Sequence, residues 1–265
     1  MINFPKISCM MVTNGRVEFV KKSIYCFIQQ TYAKKELIVL SQGTQEQNQA
    51  IRKHIQSLDR EDIIFVEAPQ KLSLGAMRNL CVELTTADIV CQWDDDDLYH
   101  PHRMMAQYHA LLGGNIVASF YTQHLKWFID SGEMYWCDWS IEYPQWRTML
   151  CGSVMFRKYL FYDFDNRIYP EEGSQSDREE DLNLLMKLSR VGKIAPVNYG
   201  HHYIYTFHGG NVYDYDHHCL VLRKRVLTDQ ELLQKEQLLR QTFKLVGIDH
   251  KVTVRSKDDV AFQYN

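Results

Sequence analysis

The sequence predicts an α/β fold: a mostly parallel central sheet flanked by helices, followed by a C-terminal helical appendage. Three observations carry this. Four short, continuous apolar runs occupy residues 7–12, 37–40, 63–66 and 89–93. Stretches with helical spacing separate them, which is the pattern of a parallel sheet covered on both faces. At 265 residues, 45% hydrophobic and 24% charged, the chain can bury the core of one large domain.

Residues 7–12 (ISCMMV) end in Thr13-Asn14-Gly15, a turn signal, and Val17, Val20, Ile24, Phe27 and Ile28 then recur on one helical face. Residues 37–40 (LIVL) stop at Gln42-Gly43, and a polar helical stretch covers about residues 44–58. A third strand is expected at 63–66, a helix at 74–84, and a strand at 89–93 that runs into four consecutive aspartates. After Pro101 the chain becomes rich in aromatics with short alternations, predicting antiparallel strands and loops. There Trp127, Trp136, Trp139 and Trp146 read as buried rings in preference to sugar-stacking ones. From Thr228 the run TDQELLQKEQLLRQTFKLVG predicts one amphipathic helix, with Thr228 as N-cap, Leu232, Leu239 and Phe243 on its apolar side, and Gly247 as its stop. Packing on the parent domain is the expected use of that side, and peripheral membrane contact helped by Arg223, Lys224 and Arg225 is the alternative.

A formal charge of −3 gives no global attraction to nucleic acid or to an anionic membrane. The seven cysteines are scattered, with no C-x-x-C pair, and read as reduced core thiols. No leader-like start and no apolar stretch near the roughly 20 residues of a membrane span is visible, so a cytoplasmic protein is expected.

In CQWDDDDLYHP, carboxylates at 94, 95, 96 and 97 repel one another unless a cation, donors or solvent relieve them. If strand geometry persists, Asp94 and Asp96 point to one side, while Asp95 and Asp97 point to the other and cap or solvate the turn into Leu98. Two converging oxygens suit Mg²⁺ or Mn²⁺ with remaining ligands from phosphate. Neither an EF-hand pattern nor a P-loop is present. In SDREEDLNLLMKL, Ser176 and Glu179 suggest a capping box opening a helix that Gly192 ends. Asp181 then shares a face with Leu184, Leu185 and Leu188, a placement that suits a base inside a crevice, with Glu180 as its rival. In YTFHGGN, paired glycines permit φ > 0 or close approach, and His208 beside them reads as a metal or diphosphate contact.

Together these segments resemble glycosyltransferase family 2, the inverting, sugar-nucleotide-dependent enzymes of the GT-A fold. The opening SCMMVTNGRVEFVKKSIYCFIQQTYAKKELIVLSQGT, then LGAMRNLCVELTTADIVCQWDDDDLYHPHRM, EEDLNLLMKLSRVGKIAPV and YTFHGGN match its motifs in order, over roughly residues 5–212. The resemblance implies Asp96 as metal ligand, Asp94 on the nucleotide ribose or sharing the ion, and Asp181 as catalytic base. It also implies donor contacts from Thr13, Asn14, Arg16, Arg78 and Asp95. Ser41 and Gln42 stand where the family usually has two aspartates, so the base of the donor is open, with UDP-sugar favoured. The implied cofactor is Mn²⁺ or Mg²⁺. The implied partners are a nucleotide-sugar donor and a saccharide or lipid-linked saccharide acceptor, in cell-surface polysaccharide or lipopolysaccharide assembly. The expected division is a domain over 1–220, with a nucleotide-binding half (1–100) and an acceptor-side half (101–220), then a helix and tail over 221–265. Two competitors are a sugar-1-phosphate nucleotidyltransferase, whose Gly-rich loop VTNGRVEF does not reproduce, and a non-catalytic saccharide-binding module.

Overall fold

The computed structural model describes residues 4–141, 149–222, 225–257 and 259–265. Trp146, Arg223 and Lys224 therefore lie outside the described residues.

The apolar runs at 7–12, 37–40 and 89–93 become inner strands because they have no polar face to show to water, whereas the run at 63–66 forms the edge of the sheet. The first half of the chain alternates β1 (Ile7–Thr13), α1 (Val17–Ile28), β2 (Lys35–Ser41), α2 (Gln45–Ser57), β3 (Ile63–Glu67), α3 (Leu74–Leu84) and β4 (Ile89–Gln92). Then come β5 (Leu98–Tyr99), α4 (Arg103–Ala110), β6 (Ile116–Tyr121), β7 (Gln123–Phe128), β8 (Glu133–Asp138), β9 (Met155–Arg157) and α5 (Tyr159–Asp163). The last part holds α6 (Glu180–Val191), β10 (Lys193–Val197), β11 (Tyr203–Phe207), α7 (Tyr215–Leu222), α8 (Asp229–Leu233), α9 (Glu236–Leu245), β12 (Val252–Arg255) and β13 (Val260–Tyr264).

The central sheet has seven strands in the order β10-β6-β9-β4-β1-β2-β3. Its pairs are parallel except that β9 runs antiparallel to both β4 and β6. Successive residues of β1 feed two cores. Ile7, Cys9 and Met11 pack with Ile24 and Phe27 of α1, whereas Met10 and Val12 pack with Met77, Cys81 and Val82 of α3 and Leu184, Leu185 and Leu188 of α6. The expected mostly parallel α/β sheet is thus present, and its strand order reverses at β1, where β2 lies on one side and β4 on the other. Crevices in such sheets open at the carboxyl ends of strands at that point.

A second sheet is ordered β13-β12-β8-β7-β11-β5 and reaches the crevice through Tyr203 and Tyr205 of β11. The β7–β8 hairpin bears out the antiparallel reading of the aromatic stretch, and Trp127 and Trp136 are buried in it. The C-terminal region departs from the expected single helix. Thr228 forms a capping box with Glu231, but the helix breaks at Gln234 and Lys235 into α8 and α9. Leu232, Leu239 and Phe243 are fully buried in the core, so the apolar side is used by the parent domain. After Gly247 (φ +76°), β12 pairs parallel with β8 and antiparallel with β13, an extension the sequence did not announce. Cys9, Cys26, Cys81, Cys91 and Cys137 are buried thiols. Among the described residues no helix is long and apolar enough to cross a membrane.

Candidate active site

The ends of β1, β2 and β4, the start of α6 and the loop after β11 enclose a cleft of about 570 Å³. Thr13, Asn14, Arg16, Gln42, Arg78, the four aspartates, Glu180 and Asp181 all line it. Ser41 does not. It is fully buried, its hydroxyl donating to Asn48 Oδ1 (2.6 Å) and accepting from the Gly43 N–H (3.2 Å).

Two glycines shape the floor. Gly15 has φ +86°, and a Cβ on Gly43 would stand 2.7 Å from Gly15 Cα, so the turns after β1 and β2 touch through backbone. Thr13 Oγ1 accepts from the N–H groups of Gly15 (3.1 Å) and Arg16 (3.4 Å), which aims Arg16 across the cleft. Gln42 donates to Asn14 Oδ1 (2.8 Å) and accepts from the Leu72 N–H (3.0 Å), fixing a carboxamide pair at the same edge.

The aspartates do not alternate as strand geometry predicts, because β4 stops at Gln92 and the Trp93 indole anchors on Ser23 O (3.2 Å). Each carboxylate instead takes its own partner. Asp94 accepts from Arg78 Nη1 (3.0 Å) and from Gln92 Nε2 (3.1 Å). Asp95, buried, takes the fork of Arg16 through Nε (3.2 Å) and Nη2. Asp96 Oδ2 accepts from Arg16 Nη1 (2.7 Å) and lies 3.1 Å from His208 Nε2. Asp97 accepts from the Tyr203 hydroxyl (2.7 Å) and the Thr206 N–H (2.9 Å). Asp95 and Asp97 are thus bound inside the protein, not solvating the turn. Burial, with Asp96 next to it, pushes Asp95 up to about 6, and burial pushes Asp97 well above its ordinary value. Burial works against ionised Asp96 too, but the His208 contact and Arg16 hold it below the usual range.

The other wall is built by a close crossing. A Cβ on Gly75 would stand 1.7 Å from Pro170 O, so only glycine lets the segment before α6 lie on α3. That segment caps α3: Leu74 N–H donates to Asp177 Oδ1 (2.8 Å), Gly75 N–H to Ser176 O (2.7 Å), and Ser73 Oγ to Glu171 O (2.8 Å). Ser176 does not open α6 as the capping-box reading expects. Its hydroxyl bonds Gly173 O (2.8 Å), and Glu179 precedes the helix with a left-handed φ of 63°. One turn along α3, Arg78 reaches Glu180 Oε1 through Nε (3.1 Å) as well as Asp94. The rivals for the base are separated by this bond: Glu180 is held by Arg78, whereas Asp181 accepts from the Leu182 N–H (2.7 Å) and keeps Oδ2 towards the cleft. Asp181 lies deep in the protein mass yet open to the cleft. Burial, reinforced by Glu180 and Asp94 and opposed by Arg78, pushes it up to about 7. Opposite it, a Cβ on Gly152 would meet Asp94 Oδ2 at 3.3 Å and Asp181 Oδ2 at 3.6 Å.

His208 is set by its loop. Its N–H donates to Asn211 Oδ1 (2.9 Å), Gly209 has φ +76°, and Phe19 lies against the imidazole with ring centroids 4.6 Å apart. Asp96 Oδ2 and His208 Nε2 have the separation of neighbouring ligands on an octahedral ion, about 3 Å for metal–ligand distances of about 2.1 Å. Asp94 is turned to Arg78 and does not join them. Among the described residues no three His, Cys, Asp or Glu side chains close around one point. A divalent ion at this point would thus have Asp96 and His208 as its protein ligands.

The model of glycosyl transferase family 2 matches residues 8–171, more than half of the chain. The chain belongs to this family. The match takes in both clefted turns, Arg78 and the aspartates of this family 2 protein, and stops before Asp181 and His208. Among solved structures, the mannosyltransferase PcManGT from Pyrobaculum calidifontis, in complex with GDP-Man and Mn²⁺, superposes with a TM-score of 0.59 at 12% identity, covering 95% of this chain and 66% of that one. TarS 1–349 from S. aureus superposes with a TM-score of 0.58 at 13% identity, covering 92% and 66%. The same TarS fragment is also known in complex with UDP-GlcNAc. At such identities the likeness is one of fold, a GT-A glycosyltransferase fold, and the chain spans about two thirds of each neighbour's length.

Sequence reasoning missed Gly75 and Gly152 as site-shaping residues, and the Asp97–Tyr203–Thr206 tie. The Gly75 signal was available in LGAMRN, a glycine in the first turn of a helix, where it costs stability unless another segment passes close by.

Proposed function

We propose that this protein transfers a sugar from a nucleotide diphosphate sugar to a hydroxyl of a saccharide or lipid-linked saccharide, with inversion at the anomeric carbon. The observation that carries the proposal is Asp181: a carboxylate with an oxygen turned into the cleft, beside Asp94, pushed up to about 7 and left without the arginine that holds Glu180. A base with its pKa near the working pH accepts a hydroxyl proton and is not itself lost to protonation. In the proposed step Asp181 takes the acceptor proton while that oxygen bonds to the anomeric carbon. The bond from that carbon to the diphosphate oxygen breaks, and the nucleotide diphosphate leaves with the bonding pair. Arg78, tied to Asp94 and Glu180, holds the two carboxylates at fixed places around the reacting centre. Arg16, one-third exposed, is available to phosphate oxygens. A divalent cation, Mn²⁺ or Mg²⁺, held by Asp96 and His208 would offset the charge on the departing diphosphate.

Two structural neighbours hold GDP-Man and UDP-GlcNAc respectively, so a donor panel begins with GDP- and UDP-sugars. Incubating the panel with Mn²⁺ and mixed saccharide acceptors, and reading released nucleotide and product anomer by NMR, tests the proposal. One donor turned over with inverted configuration is expected. Turnover with retained configuration, or release of sugar 1-phosphate in place of the nucleotide diphosphate, would overturn it.

A further inference from the structure

The two ligand atoms suited to a divalent cation already face a permanent positive charge. Arg16 Nη1 lies 2.7 Å from Asp96 Oδ2 and 3.1 Å from His208 Nε2. It is held there by a second carboxylate, since Asp95, almost fully buried, takes the Nε and Nη2 side of the same guanidinium. Any ion bonded to Asp96 Oδ2 at about 2.2 Å lies within about 5 Å of Nη1. A guanidinium cannot relieve the clash by losing its proton. It can relieve it only by moving, or by gaining an anion next to it. The Arg16 side chain is one-third exposed towards the cleft, so the route for movement is open.

We infer that Arg16 is a resident cation that closes the divalent-ion position at Asp96 and His208 until a diphosphate draws its guanidinium away, so that ion and diphosphate bind as a pair. The inference rests on the nucleotide-diphosphate reading above and specifies the order of events at that site. The diphosphate supplies what the exchange needs: oxygens that accept from a guanidinium in bidentate fashion and, on the other side, oxygens that complete the shell of the ion. By linkage, each then raises the affinity of the other by one and the same factor. The arrangement also gives Asp95 a role. It is a positioning residue that parks Arg16 between donor turnovers.

The test is a titration of nucleotide-free protein with Mn²⁺ alone, read by the loss of the free-ion electron paramagnetic resonance signal. Arg16→Gln is expected to bind Mn²⁺ tighter than the wild type by about tenfold or more, a factor usual for coupled sites. Arg16→Lys, which keeps the charge, is expected to stay weak. On the wild type itself, Mn²⁺ or pyrophosphate alone should raise the melting temperature little and the two together much more. That arm needs no variant to fold. Equal Mn²⁺ affinity in wild type and Arg16→Gln, or saturation of the wild type by Mn²⁺ as tightly without pyrophosphate as with it, overturns the inference while leaving the donor reading intact. Failure of UDP, GDP and pyrophosphate, each with Mn²⁺, to stabilise either protein overturns both.

Discussion

Two arginines divide the carboxylates of the cleft between them, and they do so in opposite ways. Arg78 is buried, its side chain 7% exposed, and it joins Asp94 on one side to Glu180 on the other with the Tyr169 ring beneath it. Arg16 joins Asp95 to Asp96 with a side chain 33% exposed. A buried guanidinium between two carboxylates is a fixed part, because removing it strands charge where water cannot reach. A half-open one at a cleft wall can exchange partners. The comparison separates a wall that holds the reacting geometry, built by α3 and α6, from a wall that responds to ligand, built by the turn after β1 and the loop after β11.

The largest expected effect breaks the fixed wall. Arg78→Leu should cost about 3–5 kcal/mol, the range for breaking a buried ion pair, measured by chemical denaturation. Arg16→Leu should cost less, about 1.5–3 kcal/mol, the range of a hydrogen bond to a charged group. Equal costs would erase the distinction between the walls.

Next comes the crossing that places α6. Gly75→Ala puts a methyl 1.7 Å from a backbone oxygen. An overpacked contact of that kind costs about 1–3 kcal/mol, and the shift it forces moves the segment leading to Asp181. Turnover should fall more than donor affinity, as seen in kcat against KM.

A smaller effect concerns pH and sharpens the role given to Asp181. Burial pushes its carboxyl up to about 7, well above the ordinary aspartate range. The folded state thus holds the proton more tightly than the unfolded chain. The stability this provides is complete below the unfolded value and drains away as pH rises through about 7. Asp181→Asn should therefore melt higher than the wild type at pH 8 and show no such gain at pH 4, by calorimetry. In the wild type, kcat/KM should climb with pH and level off above about 7, as the base loses its proton.

Much of this was legible in the chain because it depends on local patterns. The runs ISCMMV, LIVL, IIFV and the one ending at the aspartates announce β1 to β4 within a residue or two at each end. The helical spacing from Asp181 to Leu184, Leu185 and Leu188 correctly puts that carboxylate on the inward side of α6. What was not legible depends on partners far apart in sequence. Arg16 and Asp95 are separated by 79 positions, and nothing in either neighbourhood announces the fork. The alternation of Asp94 and Asp96 failed because β4 stops at Gln92 and the chain turns at Asp95 and Asp96, so the period of a strand no longer applies there. β12 and β13 escaped notice because VTVR and VAFQY are short and half polar: β12 pairs with β8, more than 110 residues earlier, and β13 with β12.

The central claim is that Asp181, and not Glu180, takes the acceptor proton. Turnover by Asp181→Asn with the preferred donor, alongside donor affinity from calorimetric titration, tests it most directly. A loss of about 10²–10⁴-fold in kcat is expected, the usual worth of a general base, with donor affinity nearly unchanged. An Asp181→Asn protein that turns over at the wild-type rate, or a Glu180→Gln protein that loses activity while Asp181→Asn keeps it, would contradict the account.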